Sequence, residues 1–530
     1  MARPIAFARS YVAHLPVAAR RFLAVLSVLA LAAAGYGVYV PIDHWLNKPC
    51  MRKGATTVTH QGANGECIGI TDGAYAFDPS LRSVETAIRK ENEQVRKSYP
   101  KNYVSVVLLL PISADKGSIM SMPNALEQLQ GAYSAQFYAN RNNVAGLTPH
   151  IQLLIGSDGY QANSWQAAVA EIENDNGRHI AAVTGFGLSL AGTESAIREL
   201  TAHNIPAFGA TLTSDAYSNI KGFVRASPSN VDNMAAALSY VKTDFSRAVL
   251  VEDGNAGDSY DVTLVSGFRK FSAIPGHKIV GVEPYDTTER DRDGQSADER
   301  KRHQDEVATR ISQMTTNICS AQPAVVLFAG RGQDLGVLVH AFSNTCLDKK
   351  IRIVSGDDVT NLPDSAQLRH DLASGHVTVD YAGVAHPDEW SAAPGQDQKN
   401  ADPQQDQKYK SGQEGFRIFS ATFHQLFPNG YLGDGNAMMS YDAALTAITA
   451  ARLTEQQQPL PDAVLNELGA LHDAYEVRGA SGPIDFTANY QTSHTGSNPV
   501  GKPIPIIRLT AQGNPRVLTL KWPDQAPAVD

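Results

Sequence analysis

The 530-residue chain holds only four cysteines, and neither local pair has the C-x-x-C spacing of a zinc site. Its 15 histidines are scattered and no H-E-x-x-H occurs, so metal catalysis has no support in the sequence and no cofactor is expected. Positive charge is short: 45 lysines and arginines face 54 aspartates and glutamates, a formal net charge of -9. That balance argues against a general nucleic-acid binder, which needs a basic face. Hydrophobic residues make up 43% and charged residues 19%, ordinary globular chemistry, and the length allows two or more lobes with cores of their own.

Phe22 to Val40, FLAVLSVLALAAAGYGVYV, is a long run without charge. It approaches the roughly 20 apolar residues that a membrane-crossing helix needs. Arg3, Arg9, Arg20 and Arg21 precede it. By the positive-inside rule, residues 1–21 are then a cytoplasmic tail, 22–40 a transmembrane anchor in the cell membrane, and the bulk of the chain extracytoplasmic. A cleaved signal peptide with ALAAAG at the cleavage site is the alternative; continuation of the run past Ala34 favours the anchor. Thiols oxidise outside the membrane, so Cys50–Cys67 and Cys319–Cys346 are expected disulfides. Residues 41–100 form an N-terminal region, irregular to about 78. The segment DPSLRSVETAIRKENEQVRK then reads as a helix, capped by Asp78 with Pro79 in its first turn. Leu81, Val84, Ile88 and Val95 fall on one face of it.

From Tyr103 short apolar runs alternate with amphipathic segments. VSVVLLLP, HIQLLIG, HIAAVTG and IPAFGAT read as buried strands, with helices in NALEQLQGAYSAQFYANR, NSWQAAVAEIEND and TESAIRELTAHN. Continuous apolar strands between helices predict a parallel sheet covered on both faces. The pattern restarts with the helix SNVDNMAAALSYVKTDF and the strands RAVLVED, HKIVGVEPY, AVVLFAG and IRIVSGDD. Val307, Ile311, Met314 and Ile318 share a helical face, and MMSYDAALTAITAARL reads as a late amphipathic helix. Two similar α/β halves in series result. Two polar insertions, 287–304 and 391–415, have compositions that read as mobile surface loops.

From Val104 to about Arg508 the order of elements resembles the type I periplasmic binding proteins, and within them the branched-chain amino acid (leucine/isoleucine/valine) binding proteins of ABC importers. The likeness rests on VVLLLPISADKG, VTGFGLSLAGTESAIRELTAHNIPAFGATLTS, FVRASPSNVDNMAAALSYVK, IVSGDDVTN, SYDAALTAITAA and GASGPIDFTANY. The tyrosine usual in the second-lobe loop stands later here, as Tyr260. The resemblance implies an α/β fold of two doubly wound parallel-sheet lobes with a hinge and an interlobe cleft. Lobe 1 is expected at 101–222 and 356–476, lobe 2 at 223–355 and 477–520. It also implies an extracytoplasmic solute-binding protein rather than an enzyme, with a small amino acid-like ligand and an ABC permease as partners. A membrane-anchored sensor of the same fold without transport is the alternative.

Ligands of open parallel sheets bind at the carboxyl ends of the strands. The turn after HIAAVTG leads through Gly187, Ser189 and Ala191 into a helix whose first N–H groups lack internal partners. A carboxylate there would meet those donors and the hydroxyls of Ser189 and Thr193. Ala210 and Thr211 would approach from the next strand end. The resemblance implies that Asp357 faces a ligand ammonium group. Ser113 and Asp115 in the first loop are weaker candidates. Each has a plainer role open to it: Ser189 and Thr193 as helix caps, Thr211 in a turn, Asp357 and Asp358 capping the next segment. Gly187-Leu188-Ser189-Leu190-Ala191 is one glycine short of the G-x-S-x-G elbow, and no histidine or acid follows in a recognisable setting, so a serine hydrolase through Ser189 is the lowest reading.

Overall fold

The computed structural model describes residues 50–523 apart from 61–65, 115–117, 176, 293–294, 363–364, 391–402, 489–491 and 513–514. The expected tail at 1–21, the anchor at 22–40, Asp115 and the first half of the 391–415 insertion lie outside the described residues. Among the described residues no helix is long and apolar enough to cross a membrane.

Tyr103–Leu110 is buried at every position. Its alternate side chains divide between two covers, as a strand's period of two requires. Val104, Val106 and Leu108 pack toward the Met122–Ala139 and Asn436–Leu453 helices, Val107 and Leu109 toward the Trp165–Glu173 and Ala191–Ala202 helices. This strand is central in a sheet built from β1 (Arg52–Lys53), β2 (Thr56–His60), β3 (Cys67–Thr71), β4 (Tyr103–Leu110), β5 (His150–Ser157), β6 (Ile180–Gly185), β7 (Ala207–Gly209) and β8 (Phe223–Arg225), in the order β1-β2-β3-β5-β4-β6-β7-β8. The second sheet holds β9 (Arg247–Asp253), β10 (Lys278–Tyr285), β11 (Val325–Ala329), β12 (Ile351–Ser355) and β13 (Val377–Ala382). After a short hairpin, β14 (Val477–Gly479) and β15 (Gly482–Ile484), it adds β16 (Ile504–Arg508) and β17 (Arg516–Lys521), giving the order β10-β9-β11-β12-β13-β16-β17.

Both sheets are mixed, where the sequence suggested parallel ones. β4 to β8 and β9 to β13 pair in parallel, but β1–β3 and β16–β17 join antiparallel at one side of each. The stretch expected to be irregular before residue 78 is therefore partly strand: β-branched residues in TTVTH and CIGIT suit a pleated, half-buried surface. The helix that follows runs Arg82–Ser98 and buries Leu81, Val84, Ile88 and Val95 as expected. Asp78 does not cap it; its carboxylate accepts from Ser80 N at 2.8 Å in the preceding turn.

The lobe boundaries also shift. Val377–Ala382 pairs with β12 and β16, so the second lobe runs on to about 382 rather than ending at 355. Residues from Val384 to Phe486 then pack with the first sheet. Among the described residues the chain passes between the sheets three times: after Arg225, after Ala382, and between Ile484 and Ile504. The Asn436–Leu453 helix is buried on all sides rather than amphipathic. Its neighbour comes so close that a Cβ on Gly131 would sit 2.1 Å from Ala437 O.

The 287–304 insertion is anchored rather than loose. Thr288–Asp291 forms a helical turn, and its Arg290, 6% exposed, pairs with Asp334 and Asp291. A 25-residue helix starts at Ala297 from a reciprocal capping box between Ser296 and Glu299. That S-x-x-E signal stands in the sequence, and the high charge hid it. The Pro403–Leu426 helix likewise takes up the described part of the second insertion. Cys319–Cys346 is a disulfide with Cα atoms 6.1 Å apart, and Cys50 and Cys67 are disulfide-bonded too.

Candidate functional site

In both sheets the parallel core has the same order. β5-β4-β6-β7-β8 and β10-β9-β11-β12-β13 each place the first strand between the second and third. Crossovers leave to opposite sides of β4 and of β9, and a crevice opens beyond the carboxyl ends at such a switch point. The loops after β4, β6, β9 and β11 are therefore the expected place for a site, and those after β6, β9 and β11 carry one. Together with the loops after β7 and β12 they supply most of the lining of a cavity of about 20 Å³ between the sheets.

Leu188, Ser189, Thr211 and Thr213 line it from the first lobe, Tyr260, Arg331, Asp357 and Asp358 from the second. Arg331 makes the most polar contacts of the lining residues. It is 2% exposed, and Nε and Nη2 form a two-pronged pair with Asp258 at 2.8 and 2.9 Å. Nη1 reaches Asp358 at 3.0 Å, and Nη2 also donates across the lobes to the Ser189 carbonyl at 2.8 Å. The guanidinium lies 4.5 Å from the centre of the Tyr260 ring. Burial opposes its charge, but Asp258, Asp358 and Asp261 outweigh that and hold its pKa well above the ordinary arginine value. Asp357 has no such partner. Burial, then the neighbouring Asp358, push its carboxyl up to about 7, while Thr213 donates to it at 3.1 Å.

Of the residues expected from sequence, Ser189, Thr211 and Asp357 meet at this cavity. Their bonds differ from those foreseen. Ser189 Oγ accepts from Ser214 N at 3.3 Å, and Thr211 Oγ1 donates to the Gly187 carbonyl. Ala191 lines an adjoining cavity of about 240 Å³. Ala210 is fully buried behind the loop, its N–H bonded to Gly185 O at 3.0 Å. Thr193 is buried in its helix, in neither lining, with its hydroxyl unpartnered. Neither Ser189 nor Thr193 caps the helix; Leu190 holds that position with no side-chain bond. Ser113 donates to Glu66. Sequence reasoning missed Arg331, Asp258 and Thr213. Arg331 comes two residues after β11 ends, in FAGRGQD, a strand-end position like those of the residues that were found, but its charge reads as solvated.

No family model and no curated protein matches the sequence. Solved structures do. The leucine binding protein LivK from Thermotoga maritima MSB8 aligns with a TM-score of 0.54 at 14% identity, over 80% of this chain and 100% of its own. The branched-chain amino acid transporter substrate binding protein LivJ from Streptococcus pneumoniae, in complex with isoleucine, aligns at 0.53 and 13%, over 79% and 99%. A solute binding protein of an ABC transporter from R. palustris, in complex with 4-hydroxybenzoate, gives 0.53 and 12%, over 81% and 100%.

The chain has the type I periplasmic binding protein fold. Within that fold the two switch-point crevices face each other, which is why residues as distant in sequence as Ser189 and Arg331 share a hydrogen bond.

Proposed function

We propose that the protein is an extracytoplasmic solute-binding protein, tethered by its N-terminal helix, that holds a small ligand between its lobes for an ABC importer. The observation that carries this is the convergence of both switch points on one cavity lined by Ser189, Thr211, Tyr260, Arg331 and Asp357. The proteins of similar fold named above, bound to isoleucine or 4-hydroxybenzoate, support the class of function. A cavity of about 20 Å³ has room for about one water molecule. Ligand entry therefore requires the lobes to part, with the three crossings as hinge, and closure is favoured only by contacts made in the closed state.

A second reading, a membrane-anchored sensor, draws on Glu66. This residue precedes β3 and accepts from Ser113 Oγ and from Tyr160 N at 2.8 Å, on the loops after β4 and β5. A stable complex with a permease decides for transport; one with a signalling partner decides for sensing. Ser189 hydrolysis has the least support, because its hydroxyl is engaged by Ser214 N. Thermal-shift screening of the portion from residue 41 tests the main reading: a bound solute raises the melting temperature by mass action. Asp357→Ala should abolish the response to an amine-bearing ligand, and an unchanged response removes Asp357 from the site.

A further inference from the structure

Buried carboxyl groups outnumber buried cations around the crevice. Asp258, Asp357 and Asp358 surround it, all at most 8% exposed. Asp261 lies next to Asp258, its N–H donating to Asp258 Oδ1 at 3.4 Å, and both its carboxylate oxygens are buried and unpartnered. Arg331 stands against them. The other buried cation nearby, Arg225, directs its donors to the carbonyls of Leu212 and Ser214, to Asn498 and to Ser218.

What surrounds Arg331 is a complete receptor for a guanidinium group. A carboxylate grips two of its nitrogens, a second carboxylate takes the third, a carbonyl accepts from the edge, and an aromatic ring lies against it. Those are the contacts by which proteins recognise planar cations. Asp258 also borders the cavity of about 240 Å³. Gln161, Asn163, Asn255 and Asp291 make much of that lining polar, beside Ile119 and Leu190. Its own cation, Arg292, is paired with Glu289 at 3.0 Å. A leucine side chain would gain little there; a polar body with a positive head fits.

We infer that the solute is an organic cation bearing a guanidinium or ammonium group, and that the Arg331 side chain is a tethered occupant of the place its head group takes. This rests on the solute-binding reading and narrows it. On entry the ligand's cation replaces the guanidinium between Asp258 and Asp358, and its body extends into the larger cavity. No bond other than hydrogen bonds and ion pairs is made or broken.

Arg331→Ala empties the receptor and supplies the test. Methylguanidine should raise the melting temperature of the variant by several degrees more than that of the wild type. Sodium chloride at equal ionic strength should not, and adding Asp258→Asn should remove the effect. No excess stabilisation of the variant overturns the tethered-occupant role. A variant that fails to fold leaves calorimetry on the wild-type protein with arginine, agmatine, leucine and benzoate. Binding of arginine or agmatine alone supports the proposal. Binding of leucine or benzoate in their place overturns the cationic class and leaves solute binding standing; binding of none overturns both. In a folded Arg331→Ala the preferred cation should bind at least about tenfold tighter than in wild type, because an internal competitor lowers apparent affinity.

Discussion

Thr213 Oγ1 donates to both carboxylate oxygens of Asp357, at 3.1 and 3.3 Å, and so joins the loop after β7 in one lobe to the loop after β12 in the other. The same interface is crossed by Arg331 to the Ser189 carbonyl, by Ser214 Oγ to Ser259 O at 3.0 Å, and by Asn124 to Asn361. Lobe closure in this protein is thus a set of direct bonds between strand-end loops, and its strength depends on the charge state of the groups in it.

Asp357 makes that dependence testable. Its carboxyl is raised from an ordinary value of 3.8 to about 7, first by burial and then by Asp358, with Thr213 and Arg331 acting the other way. Between about pH 4 and 7 the folded state holds a proton there that the unfolded state has lost. Stability from this group is therefore greatest at the acid end and declines as pH rises through 7. The shift corresponds to at most ~4 kcal/mol. Urea denaturation at pH 5 and pH 8 should show wild type losing more stability across that range than Asp357→Asn. Asp158, also raised to about 7 by burial, and Glu85, raised to about 8 by burial, contribute the same trend to both proteins and cancel in the difference. Parallel pH profiles would remove Asp357 as a titrating group.

Arg452 is 2% exposed and burial lowers its pKa to about 10. It donates to the carbonyls of Ala139 and Gly146 at 2.9 Å, and of Val144, Leu147 and Pro149 at 3.2 Å, gathering the connection between the Met122–Ala139 helix and β5. Arg452→Met keeps the volume and strands those acceptors. A loss of ~3 kcal/mol is expected, since bonds from a charged donor contribute most when buried. Lysine at 452 should recover only part, as it lacks the planar fork. Equal stability of all three proteins in urea would show that water satisfies the loop as well as Arg452 does.

Much of this architecture was legible in advance. The alternation of apolar runs and amphipathic segments gave both parallel cores, and Leu81, Val307, Ile311 and Ile318 are buried where periodicity put them. Ser189, Thr211 and Asp357 were reachable because each follows a strand at its carboxyl end. Arg331 was not, because a charged residue in a loop reads as solvated until a second lobe is known to cover it. The capping box at Ser296 and Glu299 was overlooked for the related reason that a densely charged stretch looks unable to fold, although a long helix needs only one buried face. The lobe boundary moved because Val377–Ala382 pairs with a strand more than a hundred residues later, and nothing local marks that partner.

Lys502 and Asp442 form a buried centre beside two of the crossings. Lys502 Nζ, 1% exposed, donates to Ser481 Oγ at 2.7 Å and stands 3.9 Å from Asp442, which accepts from Ser481 N at 2.9 Å. Burial lowers the lysine pKa and raises those of Asp442 and Glu389. Lys502→Met leaves two buried carboxyls without a cation and should cost roughly 3–5 kcal/mol. Adding Asp442→Asn to it should restore part of the loss, so the double-mutant cycle gives a favourable coupling between the two residues. Additive effects would mean that Glu389, not Asp442, is the lysine's effective counter-charge.

The loop after β6 separates backbone from side-chain effects. Arg331 bonds to the carbonyl of Ser189, not to its hydroxyl, so Ser189→Ala removes only the 3.3 Å bond from Ser214 N and should cost less than ~1 kcal/mol. Gly187 lies two residues earlier at φ +66°, where a Cβ would come within 2.6 Å of Met120 Cε and 2.7 Å of Pro111 Cδ. Alanine there must strain the backbone and displace the loop after β4 as well, so Gly187→Ala should cost ~2–3 kcal/mol. Thermal denaturation of the two variants side by side gives the ranking. If Ser189→Ala proved the more damaging, the hydroxyl rather than the path of the main chain would hold this turn in place, and the cross-lobe bond to Arg331 would have to depend on the Ser189 side chain.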